Sequence, residues 1–284
     1  MSPTRWTATV ASDEVYGLGE GPLWDGPRRR VLWVDIDAGT VHEGRLDGDR
    51  VVPVRSTHVD RTVGAVVASA DGQLLVAGAQ RTFPGGPVTE GPRRLNDGAC
   101  DPAGRFLVGT LALDGEDRGQ QLVRIEPGGS TIVLDDDLGL SNGLAWSVDG
   151  GLFYSVDTTG HVVHARTYDA TTGAVGPRRD WLRFDDESPD GLCVDAEDHL
   201  WIAMWGGSQV RRYTPAGELV GILDVPAPHT TSVAFVGDGL DRLLVTTATA
   251  ELSPADRAAY PDSGRLFLAH VGVAGHPVTP WSGP

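Results

Sequence analysis

Two stretches of the chain, "SNGLAWSVD" at 141–149 and "SPDGLCVD" at 188–195, place a polar side chain before a glycine and a short apolar run. The polar residues, Asn142 and Asp190, lie 48 positions apart. The same arrangement occurs in "GEGPLWD", where Glu20 precedes Gly21, and in "NDGACD", where Asp97 precedes Gly98. Asx-Gly is a common tight-turn signal, so any single pair has a plain turn reading. Glu is not a preferred turn former, and recurrence at one place in a repeat points beyond turns. Carboxylates and amides gathered at one point repel each other unless a cation sits between them. Oxygen donors suit a hard divalent ion such as Ca²⁺, Mg²⁺ or Mn²⁺, and Zn²⁺ or Fe²⁺ also accept carboxylates. Glu20 and Asp190 would match the charge of one such ion and Asn142 would add a neutral oxygen. The remaining positions would go to water and substrate, as in catalytic rather than closed structural sites.

Bringing residues so distant in sequence together requires a repeating scaffold. Six segments share an apolar run, an Asp/Gly-rich turn and a second apolar run: "PLWDGPRRRVLWVDI", "AVVASADGQLLVAGA", "ACDPAGRFLVGT", "LAWSVDGGLFYSVDT", "LCVDAEDHLWIAMW" and "VAFVGDGLDRLLVTTA". Their turn residues Asp25, Asp71, Asp101, Asp149, Asp195 and Asp241 are spaced 46, 30, 48, 46 and 46 apart. Each segment has the form of a β-hairpin, and about four strands per repeat is the pattern of a propeller blade. The expectation is an all-β, six-bladed β-propeller forming one domain over 1–284, with a trimmed second blade at the 30-residue interval. "TRWTATVAS" and "GRLFLAHVGV" are expected to share one blade and close the ring, removing exposed sheet edges. Only "SPADRAAY" carries a weak helical period. In such a ring the residues just before the six inner strands face one mouth of the axial channel. They are Glu20, Asp97, Asn142 and Asp190, with Val63-Gly64 and Thr231-Ser232 in the second and sixth blades.

Composition narrows the partners. The formal net charge is −16 and all 23 cationic residues are Arg, so nucleic acid and anionic membrane surfaces are repelled. Without Lys there is no Schiff-base chemistry. Cys100 and Cys193 are too few for a disulfide framework and are expected to be buried, inert thiols. No apolar run reaches the ~18–20 residues of a membrane span and no secretory h-region is seen, so a cytoplasmic location is expected. "GLSNG" at 139–143 fits the G-x-S-x-G pattern, but its surroundings are strand on strand, which makes Ser141 a turn residue rather than a nucleophile. His161, His164 and His199 read as surface or core residues. His229, just before the sixth inner strand, is the histidine placed to touch a substrate. Asp157 could face the channel or a turn, and Asp135, Asp136 and Asp137 read as a solvated loop.

The blocks "GLGEGPLWD", "RRLNDGACDPAGRFLVGT", "LSNGLAWSVDGGLFYSVDT" and "SPDGLCVDAEDHLWIA" resemble, in content and order, those of the regucalcin/gluconolactonase (senescence-marker-protein) family. The resemblance runs from about residue 13 to the C-terminal "VGVAGHPVTPW". It implies a six-bladed propeller that hydrolyses sugar lactones with one divalent metal held by Glu20, Asn142 and Asp190. It also implies that Arg94 and Asn96 hold substrate hydroxyls or water, and that Asp114 falls where some relatives have a substrate-binding Glu, within the altered run "LALDGEDRG". Asp190 would double as general base. Competing readings are an esterase or phosphotriesterase on the same metal site, and a non-catalytic calcium-binding or interaction propeller. The chain is expected to act as a monomer or small homo-oligomer on a small-molecule sugar lactone.

Overall fold

The turn aspartates do much of the local folding. In "CDPAGR" Asp101 Oδ1 accepts the Ala103 and Arg105 backbone N–H groups, both at 2.9 Å. In "VDAEDH" Asp195 Oδ1 accepts those of Glu197 and His199 at 2.9 and 3.0 Å. The second oxygen of each takes a side chain, Arg105 for Asp101 and Trp201 Nε1 for Asp195. Both carboxylates are fully buried, and each closes its hairpin by satisfying donors that no strand partner can reach.

A computed structural model describes residues 2–115, 118–126 and 128–283. The hairpins extend into six blades arranged as a six-bladed β-propeller. Blade I holds Gly19–Asp25, Arg30–Asp35, Thr40–Asp47 and Arg50–His58. Blade II has three strands, Ala65–Ala68, Leu74–Ala77 and Thr82–Phe83, in keeping with its short repeat. Blade III is Arg93–Cys100, Phe106–Ala112, Gln120–Ile125 and Thr131–Leu138. Blade IV is Ser141–Trp146, Leu152–Asp157 and Val162–Asp169, with Ala174–Val175 and Arg179–Arg183 both paired to its third strand. Blade V is Ser188–Val194, Leu200–Trp205, Gln209–Tyr213 and Leu219–Asp224; blade VI begins Thr230–Val236, Arg242–Thr247 and Phe267–Ala269. The weak helical period of "SPADRAAY" becomes Pro254–Ala259, started by Ser253, whose Oγ accepts the Asp256 N–H at 3.1 Å.

The N-terminus closes the ring, but not as one strand. Thr9–Val10 pairs antiparallel with Phe267–Ala269 as the outer strand of blade VI, as expected. Thr4–Thr7 instead adds a parallel fifth strand to blade V, against Gly221–Asp224. Trp6 then lies against Trp201, ring centroids 5.4 Å apart. The core lies between blades: Trp201, Phe235, Leu243, Val245 and Phe267 join V to VI, and Trp33, Val31 and Leu244 join VI to I. Burying each such side chain contributes about 1.5–3 kcal/mol. Asp135–Asp137 are not loop residues. They sit on the outer strand of blade III, where Asp135 pairs with Arg166 at 2.5 Å and with Arg178 at 3.0 Å. Arg178 also holds Asp137 at 2.6 Å, tying blades III and IV together at their rim.

Candidate functional site

Except for Val63-Gly64 in the second blade, the residues singled out at the channel mouth do not precede the inner strands; they lie within them. Register slips between Glu20 and Leu23, Leu95 and Gly98, Ser141 and Leu144, Pro189 and Leu192, and Thr230 and Ser232. Five of the six inner strands thus carry a bulge at the same place, and a bulge re-aims the side chains it contains. Gly21, after Glu20, has a positive φ and open space about it, whereas the glycines after Asn142 and Asp190 serve a different purpose. Gly143 and Gly191 do not have positive φ. A Cβ on Gly143 would lie 2.6 Å from the Asp190 carbonyl oxygen, and one on Gly191 would lie 2.1 Å from Ser232 Oγ. Glycine lets neighbouring inner strands approach around the axis.

The segments ahead of two of these strands are pinned by carboxylates from their own blades. Asp157 accepts the N–H groups of Gly139, Leu140 and Gly160 at 3.0–3.2 Å. Asp35 accepts those of Gly17 and Leu18 at 2.9 and 3.2 Å. Asp157 is therefore spent on the loop before Asn142, not on the channel.

A hydrogen-bonded chain then crosses three blades. Arg94 Nη1 donates to Asn96 Oδ1 at 2.6 Å and to the Leu95 carbonyl at 3.1 Å. Asn96 Nδ2 donates to the Ser141 carbonyl at 3.0 Å and to Asn142 Oδ1 at 3.3 Å. Asn142 Nδ2 donates to Thr158 Oγ1 at 3.1 Å, and Thr158 donates to the Pro189 carbonyl, beside Asp190, at 2.8 Å. Arg94, Asn96, Asn142 and Asp190 are all buried, as is Glu20. Glu20 Oε2 accepts the Gly21 N–H at 2.9 Å.

Three carboxylates here stand above their ordinary range. Burial, then the Asp97 charge, push Glu20 up to about 8, against help from the Gly21 N–H and Arg94. Burial also raises Asp97 to about 6. Asp190 is held well above the carboxylate range by burial first and then by Glu20 and Asp97. The Arg94 guanidinium bonds to Asn96 and the Leu95 carbonyl, and burial lowers its pKa. Asp190 Oδ1 is buried with no hydrogen-bond partner among the described residues. Nor, among the described residues, do three His, Cys, Asp or Glu side chains form a ready metal cage; the donor set that meets here includes the amide of Asn142.

Asp114 is exposed, in the bend after Phe106–Ala112. Arg93 pairs with Ala112, so this bend overhangs the end where Arg94 and Asn96 lie; Glu116 and Asp117 of the same run are outside the described residues. Ser141 is a buried strand residue rather than a turn residue, wedged against Gly109, where a Cβ would come within 2.3 Å of its Oγ. The Asp-Gly pair marks Asp97 as an axial residue but not its coupling to Glu20 and Asp190, and nothing local marks Thr158. His229, half-buried, stacks on Trp205 at 4.0 Å and 8°, with Nδ1 3.0 Å from the Ala250 carbonyl. Trp205 pairs with Ser188, so this aromatic pair stands at the Asp190 end of blade V.

The sequence profile described as the SMP-30/Gluconolactonase/LRE-like region matches residues 18–249. The chain belongs to this family. Among its SMP-30/gluconolactonase relatives, a pentonolactonase of Haloferax volcanii is 33% identical over 95% of this chain and 97% of its own. The regucalcin of Danio rerio is 32% identical over 94% and 95%. A crystal structure of regucalcin, a calcium-binding protein, from Agrobacterium tumefaciens superposes with a TM-score of 0.89 at 26% identity, covering 99% of both chains. The matched region holds the five bulged positions and the whole Arg94–Pro189 hydrogen-bonded chain.

Proposed function

We propose that the protein hydrolyses a sugar lactone to the open-chain acid, using one divalent cation held by Glu20, Asn142 and Asp190. The observation that carries this reading is the orphaned, buried Asp190 Oδ1 beside a second buried carboxylate whose charge is unmatched. A buried oxygen left without a donor costs about 1–3 kcal/mol, more when charged, and a cation placed there removes both penalties. Two carboxylates and one amide oxygen make a hard, neutralising donor set, which suits the ions named above and leaves positions for substrate. The lactonase and calcium-binding names among the relatives agree with it.

When bound, such an ion polarises an ester carbonyl and acidifies water. The chain supplies the rest. Asp190, with one oxygen towards the ion, would use the other to accept the proton of the attacking water. Arg94 brings a guanidinium into electrostatic reach of Glu20 and Asp190, where it favours negative charge developing on the lactone. Asn96 commits its amide hydrogens to Ser141 and Asn142, so its part is to fix Asn142 while its neighbour Arg94 faces the substrate. Asp114, on its overhanging bend, and the Trp205–His229 pair border the mouth where the sugar hydroxyls would be read.

The test is direct. The protein is incubated with a panel of aldonolactones, with and without EDTA, and acid release is followed with a pH indicator. Release that EDTA abolishes and a divalent ion restores supports the proposal. Binding of calcium without turnover of any lactone would favour the binding propeller, and turnover of aryl esters or phosphotriesters alone would favour the other hydrolase readings.

A further inference from the structure

A cavity on the channel axis does not coincide with the polar ring at Glu20, Asn142 and Asp190. It begins just beyond that ring, at Gly21, Asp97 and Ser232, and continues to the hairpin turns at the opposite mouth, enclosing about 500 Å³. Its walls are the second halves of all six inner strands, with Trp24, Trp146, Phe235, Leu144 and Leu192 among the apolar contributors. Cys100 and Cys193 are part of this wall. They are not sealed in the core as expected, but partly exposed to the cavity.

The C-terminal segment crosses this lower mouth as a strap. One end is fixed to blades V and VI, where Gly275 N–H donates to Leu240 and His276 N–H to Val194. The other end is fixed to blades II and III, where Trp281 N–H donates to Ala68 and Ser282 N–H to Gly104, both at 2.9 Å. Blades V and VI lie across the ring from II and III, so residues 276–280, which line the cavity, span it. A channel filled by side chains would need no cover.

We propose that this lower chamber is a second binding site, for a small apolar molecule without negative charge. Its volume falls in the range of small-molecule sites, roughly 300–1,000 Å³. Its charge selects the class: the ionisable side chains lining it are the acids Asp25, Asp97, Asp149 and Asp238, the two thiols and His276, and no arginine is among them. A carboxylate or phosphate would lose its hydration there without meeting a counter-charge. A neutral aromatic molecule exchanges only apolar surface, against indole and leucine side chains. The chamber adjoins the proposed lactone site, sharing Asp97 with the carboxylates described there, but differs from it in chemistry and stands or falls apart from it.

Two dyes sharing one ring system provide the probe. N-phenyl-1-naphthylamine is neutral, and 8-anilinonaphthalene-1-sulfonate adds a sulfonate to the same rings. The neutral dye is expected to bind the full-length protein at one per chain with enhanced emission, and the sulfonate at least about tenfold more weakly. Bound neutral dye should slow N-ethylmaleimide modification of Cys100 and Cys193 in the native protein, and EDTA should leave its affinity unchanged. Cys193→Phe, which fills the wall, should abolish dye binding; the thiol protection in the unaltered protein tests the same point should that variant fail to fold. Absence of saturable binding overturns the proposal. So does equal binding of the two dyes with the thiols unprotected, which would place them on the outer surface.

Discussion

Asn96 Nδ2 lies 3.3 Å from Asn142 Oδ1, so an amide of blade III fixes the orientation of a proposed ligand in blade IV. With Asn142 Nδ2 committed to Thr158 at 3.1 Å, Oδ1 is the atom Asn142 presents. Asn96→Ala should therefore weaken divalent-ion affinity by about 10–100-fold, the usual effect of removing a residue that orients a ligand. Calorimetric titration of the chelated protein measures it, and unchanged affinity would mean that Asn142 needs no such support.

For Asp190→Asn, shape is kept and basicity lost. Turnover of the best lactone should fall by about 10²–10⁴-fold, the span ascribed to general-base catalysis. The thermal midpoint of the chelated variant should equal or exceed that of the chelated parent, because a neutral amide replaces a buried carboxyl that must otherwise take up a proton to fold. Steady-state kinetics and thermal melts test the two halves separately.

The propeller and its polar axis were legible in the sequence because a hairpin repeats its turn chemistry locally. Asp101 and Asp195 close their turns through neighbours two and four residues away. What was not legible depends on register or on distant strands. The bulges that carry Glu20, Asn142 and Asp190 inside their strands are properties of pairing, not of local residue type. Thr158 acquires its place only when Pro189 of the next blade arrives. The division of the N-terminus between blades V and VI likewise needs the closed ring.

Gly143→Ala tests the close approach of blades IV and V. Its Cβ would meet the Asp190 carbonyl at 2.6 Å and Leu192 N at 2.8 Å, contacts with backbone that cannot rotate away. The cost should be about 1–3 kcal/mol, the usual range for overpacking. Ion affinity should fall with it as Asp190 is displaced. Melting temperature and ion titration read both effects, and a tolerated alanine would show that the inner strands can slide.

The titration of the site gives a pH signature. Glu20 at about 8 and Asp97 at about 6, with Asp190 raised, hold protons in the folded chain that an unfolded chain has already released. Stability therefore falls as pH rises through the folded values. In EDTA the melting temperature should drop as pH rises from about 5 to about 8 and level off above the folded Glu20 value, and a saturating divalent ion should flatten the curve. His42 and His164, both depressed by burial, oppose this trend only below their ordinary value and are neutral in both states above about pH 7.5. A flat curve in EDTA would contradict the unmatched carboxylates.

The most direct measurement is the stoichiometry and necessity of the ion. Chelated protein titrated with Ca²⁺, Mn²⁺, Mg²⁺ or Zn²⁺ should bind one ion per chain and recover lactone hydrolysis in step with occupancy. Glu20→Gln should lose both, and Asp190→Asn should lose hydrolysis while weakening ion binding only modestly. Full hydrolysis in EDTA, or recovery that ignores both substitutions, would contradict a cation centred on Glu20, Asn142 and Asp190.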